Sequence, residues 1–170
     1  MKIIKKMTLF LILCLYLAIL SKLILFKYIP LAEIINHFNF TYDEYHWRSN
    51  NFIPFKTINF YLFLADINLY IRIENLAGNI IGFMPFGFIL PLLAKKFQKL
   101  SAVTLTTFCL SLTFELLQLV FEFGSFDVDD LILNTLGGIL GCLPIKLVLL
   151  FSRFKKKNMT ENIIYTKNHQ

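Results

Sequence analysis

Four long apolar runs, separated by short charged segments, constrain this chain more than any other feature. They occupy residues 7–26, 76–94, 100–123 and 128–151. A helix needs about 17 to 25 mainly apolar residues to cross the hydrocarbon core of a bilayer, and each run reaches that length. Of the 170 residues, 56% are hydrophobic, against about 45 to 50% in soluble domains. The sequence therefore predicts an all-α integral membrane bundle of four transmembrane helices.

The basic residues predict how these helices are oriented. Lys and Arg number 17 against 11 Asp and Glu, and their clusters lie at residues 2–6, 95–99 and 153–157. Because positive loops stay in the cytoplasm, both chain ends are expected there. The excess charge flanks the apolar runs, so no nucleic-acid partner is expected. The predicted parts are a cytoplasmic N-terminus (1–6), a membrane domain (7–151) and a basic, then polar, cytoplasmic tail (152–170).

Two further segments have weaker patterns. Residues 27–75 carry mixed charge and are expected outside the cytoplasm. Within them, residues 58–73 are apolar but too often interrupted to span, so we predict an interfacial or partly re-entrant helix there. Residues 67–74 nearly alternate with period two, which leaves a strand as the alternative. The end of the chain, from Asn158 to Gln170, is polar and aperiodic and is predicted to be disordered.

Polar residues inside the last three runs form the candidate site. A charge at the centre of a span costs about 2.5 to 3.5 kcal/mol, so Glu115 in the third run needs an explanation. At 3.6 residues per turn it shares a face with Ser111 and Gln118. Depth in the membrane follows from the number of residues between a position and the outer end of its helix. By this count the polar residues of the last three helices lie at one depth, which predicts a pocket open to the outer leaflet. The ligand-binding candidates are Asn79, Glu115, Gln118, Asp127, Asp130 and Asn134.

Small residues recur on the same helices and predict close helix packing. Glycine at a spacing of three or four residues lets two backbones approach, and proline kinks a span whose freed carbonyl a neighbour can satisfy. The same faces could also join two copies of the chain into an oligomer. The predicted packing residues are Gly78, Gly82, Pro85, Gly87, Gly137, Gly138 and Gly141.

The acidic start of the fourth run has two interpretations. Asp127 and Asp130 could complement the amides of the first helical turn. They could instead bind a divalent cation, since oxygen ligands suit Ca²⁺ and Mg²⁺. The three cysteines and three histidines are scattered without metal-type or redox-type spacing. No cofactor is predicted, and a cation at Asp127 and Asp130 stays the alternative.

Four motifs, in order, resemble the VanZ-like family of membrane proteins. They lie at Arg48–Ile58, Asn75–Pro91, Ser111–Gln118 and Asp127–Gly141, and the resemblance covers about residues 10 to 150. The chain departs from the family pattern at Phe52, where leucine is usual. The resemblance implies a protein of the bacterial cell membrane and envelope, because the family's namesake is associated with resistance to the glycopeptide teicoplanin. It implies no reaction.

Three functions compete at this point. The first is binding of an amphiphilic or lipid-linked ligand at the outer leaflet, either an envelope precursor or a lipoglycopeptide, with an effect on resistance. The second is a small membrane enzyme that modifies an envelope lipid head group, with Glu115 as general acid or base. The third is an accessory subunit that packs against partners through its glycine-rich helices.

Overall fold

The structure, a computed structural model, describes residues 2–26, 47, 49–64 and 68–168. A π-helical turn, Phe60–Leu64, follows the short helix Lys56–Asn59. A 3-10 turn, Lys95–Gln98, joins the helix Leu69–Leu93 to the helix Leu100–Phe121. Within the described residues the helices are α1 (Lys2–Leu25), α2 (Lys56–Asn59), α3 (Leu69–Leu93), α4 (Leu100–Phe121) and α5 (Val128–Asn168).

The predicted all-α membrane bundle is confirmed. Four of the described helices are long and apolar enough to cross a membrane: α1, α3, α4 and the first two thirds of α5. Many of their large apolar side chains lie on the surface of the bundle, as at Leu15 and Val148. Such exposure suits a lipid environment, because lipid tails are as apolar as the side chains themselves. The chain is a multi-pass membrane protein.

Three helices extend beyond the spans predicted for them, α1 by beginning at Lys2 rather than at residue 7. α3 begins at Leu69 rather than at residue 76, after Asn68 accepts a hydrogen bond of 3.0 Å from the amide of Tyr70. This capped first part of α3 contains residues 69–74, which make up most of the segment that also fitted a strand. The predicted disorder of the tail is wrong as far as Asn168, where α5 ends. No glycine or proline follows Pro144, so nothing in the sequence stops the helix.

The two ends of the bundle differ in composition. We call one the loop end; it contains residues 50–64, the start of α3, the end of α4 and the start of α5. We call the other the lysine end, where the start of α1 lies near the turn that joins α3 to α4. The lysine end contains Lys5, Lys6, Lys95, Lys96 and Lys99. The described part of the predicted interfacial segment lies at the loop end.

The most extensive contact in the bundle joins α3 and α5, which run parallel. A Cβ added at Gly87 would lie 1.9 Å from the carbonyl oxygen of Gly138, and one at Gly141 would lie 1.9 Å from that of Met84. One at Gly137 would lie 2.1 Å from the carbonyl oxygen of Ile80. These distances leave no room for a methyl group, so glycine is what allows the two backbones to approach.

α1 and α4 complete the bundle around this pair. Apolar side chains of all four helices form the core near the lysine end, where Val103 and Cys142 are completely buried. Thr107 of α4 is also buried and lies directly against Gly138. Farther towards the loop end, the hydroxyl of Tyr16 donates a hydrogen bond to the carbonyl oxygen of Gly82. α1 is thereby attached to α3 close to the kink-prone Pro85.

Candidate functional site

A cavity of about 480 Å³ opens at the loop end between α1, α3, α4, α5 and the turn after α2. The apolar residues that line it include Leu20, Leu23, Ile24, Phe83 and Leu133. The polar residues that line it are Thr57, Tyr61, Glu74, Asn75, Asn79, Gln118, Ser125, Asp127 and Asp130. Four of the six predicted ligand-binding residues are therefore among those that line the cavity.

Asn79 and Asp130, which both line the cavity, are hydrogen-bonded to each other. The side-chain amide of Asn79, on α3, donates a hydrogen bond to Oδ1 of Asp130, on α5. Both residues line the cavity and are half-buried. Because the bond joins two different helices, it fixes the orientation of the Asp130 carboxylate and holds the open ends of α3 and α5 at a set separation.

Glu115 lies behind the cavity wall rather than in it. Its side chain is 1% exposed, and Oε2 accepts a hydrogen bond of 2.8 Å from the backbone amide of Asp127. Asp127 lines the cavity, whereas Glu115 does not. The predicted acid or base therefore contacts the loop before α5, and its position suits the placement of Asp127 more than contact with a bound molecule.

The remaining two candidates are placed differently from each other. Gln118 lines the cavity and donates a hydrogen bond of 3.2 Å to the carbonyl oxygen of Ile24, near the end of α1. Asn134 is 2% exposed and lies outside the cavity lining. Its amide nitrogen donates a bond of 2.9 Å to Oγ of Ser111, while no donor among the described residues reaches its side-chain oxygen. Asn134 therefore joins α4 to α5 below the cavity.

A set of hydrogen bonds ties residues 50–58 to the start of α5, and we call it the clasp. Asn51 pairs with this region through its backbone: its amide donates to the carbonyl of Phe126, and its carbonyl accepts from the amide of Val128. Its side-chain amide also donates a bond of 2.8 Å to Oδ1 of Asp127. The side-chain oxygen of Asn50 accepts from the amide of Phe126.

Asp129 is the centre of the clasp. Its carboxylate is fully buried and accepts hydrogen bonds from the backbone amides of Phe55, Thr57 and Ile58. Phe55 has a left-handed backbone, with φ of 65°, which turns the chain into α2. Neither Asp129 nor Asn51 was among the predicted site residues. Both lie in segments that carry the family resemblance, which was the signal available for them.

The clasp also uses the donors of the first turn of α5. The amide of Asp127 donates to Glu115, that of Val128 to Asn51, and that of Asp129 to Oδ1 of Asp127 at 2.8 Å. A helix N-terminus normally offers such groups to an anion, and in this bundle they are bonded to the protein's own oxygens.

The predicted packing glycines fall into two groups. Gly87, Gly137, Gly138 and Gly141 lie in the tight contacts described above. Gly78 differs from the packing role predicted for it, since nothing lies within 4 Å of a Cβ built there, and it lines the cavity. Gly82 also lines the cavity, and the nearest atom to its Cβ, in Leu20, is 3.7 Å away. These two glycines widen the cavity rather than close a contact.

The cation alternative at Asp127 and Asp130 can be compared with the side chains around these two carboxylates. Among the residues that the structure describes, no group of three His, Cys, Asp or Glu side chains is arranged to hold a metal ion. Asp127 and Asp130 both face the cavity, but the first is bonded to Asn51 and the second to Asn79. Among the described residues, no third His, Cys, Asp or Glu side chain is placed to bind a cation together with these two carboxylates.

The fold and the cavity define a class: a small multi-pass membrane protein with a polar cavity at one end of a glycine-packed helix bundle. The family model for VanZ/LLP1 matches residues 10–151. "Protein VanZ" of Enterococcus faecium is 37% identical over 131 residues, which cover 76% of this chain and 68% of that protein. No solved structure matches. The chain belongs to the VanZ/LLP1 family.

Proposed function

We propose that this VanZ-like membrane protein holds an amphiphilic or lipid-linked ligand in the cavity at the loop end, at the outer leaflet of a bacterial cell membrane. Through that ligand it lowers sensitivity to lipoglycopeptides of the teicoplanin type, as the family resemblance implies. Both chain ends then lie in the cytoplasm, since the lysine end carries the basic clusters that positive-inside topology places there.

The observation that carries this proposal is the lining of the cavity. Its volume of about 480 Å³ falls within the roughly 300 to 1,000 Å³ of small-molecule sites. The lining contains apolar side chains, such as Leu20 and Phe83, as well as polar ones, such as Asn79 and Asp130. An acyl chain fits the first kind of side chain and a hydrophilic head group the second, so the mixed lining suits a molecule that has both parts.

The two alternative functions have less support. A lipid-modifying enzyme would need its general acid or base beside the substrate, within about 2.6 to 3.2 Å, and Glu115 lies behind the lining with its Oε2 bonded to a backbone amide. An accessory subunit would need its glycines on an outer face, whereas Gly87, Gly137, Gly138 and Gly141 are all buried within the chain's own bundle.

Filling the cavity tests the proposal. Gly78 lies on α3 with open space beside it, so Gly78→Phe adds a large side chain to the cavity without a backbone clash. We expect a cell that expresses this variant to lose the teicoplanin resistance that the wild-type protein confers. Growth inhibition at matched amounts of protein in the membrane is the measurement.

The matched control is Ile81→Phe. Ile81 lies on the same helix, is 62% exposed and is not among the cavity-lining residues. We expect this variant to keep full resistance. If Gly78→Phe kept it as well, or if the wild-type protein conferred none, the role proposed for the cavity would be wrong.

A further inference from the structure

A second opening, which we call the groove, lies on the outside of the bundle at the lysine end. It has a volume of about 380 Å³ and is lined by Lys6, Met7, Phe10 and Leu11 of α1 and by Leu93 of α3. Only apolar atoms line it, so Lys6 contributes its methylene stem. Met7, Phe10 and Leu11 are each more than half exposed. In a membrane the groove therefore faces lipid.

The residues that line the groove on α1 are ordered by depth. Lys6 and Phe10 are four residues apart, as are Met7 and Leu11, so the four side chains form one stripe along the helix. At a rise of about 1.5 Å per residue, the stripe extends roughly 7 Å from Lys6 into the span. The charged residue is nearest the membrane surface and the residues farther in are apolar, which is the order of head group and acyl chain in a phospholipid.

The mouth of the groove carries positive charge that no nearby carboxylate offsets. Lys95 follows Leu93 by two residues, so its Cα lies within about 7 Å of that of a lining residue. Lys6 and Lys95 are both exposed. No Asp or Glu occurs in residues 1–26 or 75–114, which contain all the lysines of the lysine end. A negative group at the mouth therefore meets ammonium groups without a competing carboxylate from these segments.

This charge distinguishes the possible occupants of the groove. A second copy of the chain in the same orientation would bring its own lysine end against Lys6 and Lys95, and like charges repel. A zwitterionic lipid would add the positive part of its head group to the same place. An anionic lipid brings a net negative charge, which complements both lysines.

We propose that the groove binds an anionic phospholipid of the leaflet next to the lysine end. Its phosphate lies between Lys6 and Lys95, and one acyl chain lies along Phe10, Leu11 and Leu93. A lysine near the membrane surface increases the affinity for anionic lipid about fivefold. The inference does not depend on the function proposed for the cavity, because the groove lies at the opposite end of the bundle.

Quenching of a single tryptophan by brominated lipid tests this site directly. The only tryptophan of the full-length chain is removed as Trp47→Phe, and a new one is introduced in the groove as Phe10→Trp. The protein is reconstituted into phosphatidylcholine vesicles that contain increasing fractions of either phosphatidylglycerol or phosphatidylcholine brominated on the acyl chains. We expect brominated phosphatidylglycerol to reach half-maximal quenching at about a fivefold to tenfold lower fraction than brominated phosphatidylcholine.

A tryptophan outside the groove is the control for position. Leu105 lies on α4, six residues after Lys99, is 64% exposed and does not line the groove. In the same Trp47→Phe background, Leu105→Trp reports on lipid at a similar depth beside the same basic end. We expect the two brominated lipids to quench it equally.

Charge-neutral variants assign the preference to the two lysines. Lys6→Gln and Lys95→Gln change exposed side chains, so folding is not at risk, and each is expected to reduce the preference several-fold. Lys22→Gln is the matched control. It removes the same charge from α1, but 16 residues from Lys6, or about 24 Å along the helix, and is expected to keep the preference.

The other results overturn the proposal. Equal quenching of residue 10 by both lipids would mean that the groove holds lipid without recognising its head group. A phosphatidylglycerol preference of the same size at residue 105 would indicate a diffuse attraction to the basic surface rather than a site. A preference that survives the double change of Lys6→Gln and Lys95→Gln would exclude these lysines, and no quenching of residue 10 by either lipid would mean that lipid does not enter the groove.

Discussion

The contact between α3 and α5 has two different halves. Towards the lysine end, Gly87 and Gly138 bring the two backbones so close that a single methyl group would collide. Closer to the loop end the same helices are joined by the side chains of Asn79 and Asp130, which line the cavity. Glycine makes one half of the contact dry and close, while amide and carboxylate groups make the other half open and polar.

This difference shows how a small bundle can keep a cavity open. Apolar helices in lipid gain most from close packing, and an unsupported gap would tend to close. The glycine contacts at Gly137 and Gly141 fix the two helices along much of their length. With that half fixed, the clasp can hold the start of α5 where Asp127 and Asp130 face the gap. Each half can be broken separately.

The largest effect is expected from the close half. Gly87→Ala places a Cβ 1.9 Å from the carbonyl oxygen of Gly138, and a backbone atom cannot move aside without separating the helices. Overpacking a core usually costs about 1 to 3 kcal/mol, and we expect a loss above about 3 kcal/mol in the free energy of unfolding. Unfolding in detergent, followed by circular dichroism, measures it.

Gly82→Ala is the control for this change. It makes the same substitution on the same helix, and its nearest neighbour, in Leu20, is 3.7 Å away. Alanine favours a helix over glycine by about 0.8 to 1 kcal/mol, so we expect no loss of stability. Equal destabilisation by the two substitutions would show that the close contact does not hold α3 to α5.

A smaller effect is expected from the clasp. Asp129→Asn replaces a buried carboxylate that accepts from three backbone amides by a side chain with one acceptor oxygen. Hydrogen bonds to charged groups contribute about 1.5 to 3 kcal/mol each, and we expect a loss of about 2 to 3 kcal/mol. The loss should be local, with faster hydrogen exchange at the amides of Thr57 and Ile58.

The control for the clasp is Glu122→Gln, which removes one negative charge at the end of α4 without touching those amides. We expect the exchange rates of residues 55–58 to stay unchanged in it. Unchanged exchange in Asp129→Asn as well would mean that the clasp does not order this part of the loop end.

The smallest effect is expected where the two halves meet. Asn134 donates a hydrogen bond to Ser111 in a dry position below the cavity. Such bonds within membranes contribute about 0.6 kcal/mol on average in double-mutant cycles. We expect a coupling of about this size between Ser111→Ala and Asn134→Leu, measured from the unfolding of the two single variants and the double variant. A coupling of several kcal/mol would indicate that Asn134 has a role beyond joining α4 to α5.

The sequence was a good guide to the spans and a weaker guide to their ends. Apolar length alone determines which segments can cross a bilayer, and all four were predicted. The start of α3 at Leu69 was missed because Arg72 and Glu74 make that segment too polar for a transmembrane span. Both residues nevertheless fit the part of a helix that extends beyond the span. The last part of α5 was missed because it has no apolar periodicity, which was the pattern used to predict helices. A helix that has already begun can continue without that pattern.

Four residues of the cavity lining were among the candidates that the sequence offered, but the contacts of each could not be predicted. Spacing placed Asn79, Gln118 and Asp130 at one level, and all three line one cavity. Spacing could not distinguish Gly78, beside open space, from Gly87, against a backbone, because that depends on the neighbouring helix. Nor could it reveal that Asp129 is buried, since its partners are backbone amides about 70 residues earlier in the chain.

The clasp has a consequence for the order in which the protein assembles. Asn51 and Phe55 are synthesised long before their partners Asp127 and Asp129, which follow 76 and 74 residues later. Until the last helix enters the membrane, the amides of Phe55, Thr57 and Ile58 lack the Asp129 carboxylate and need water in its place, and water is scarce in hydrocarbon. The loop must therefore stay exposed to water, outside the hydrocarbon core, until that helix is in place. Closure of the clasp then becomes the final step of membrane integration, and the cavity is completed only when the last span is in place.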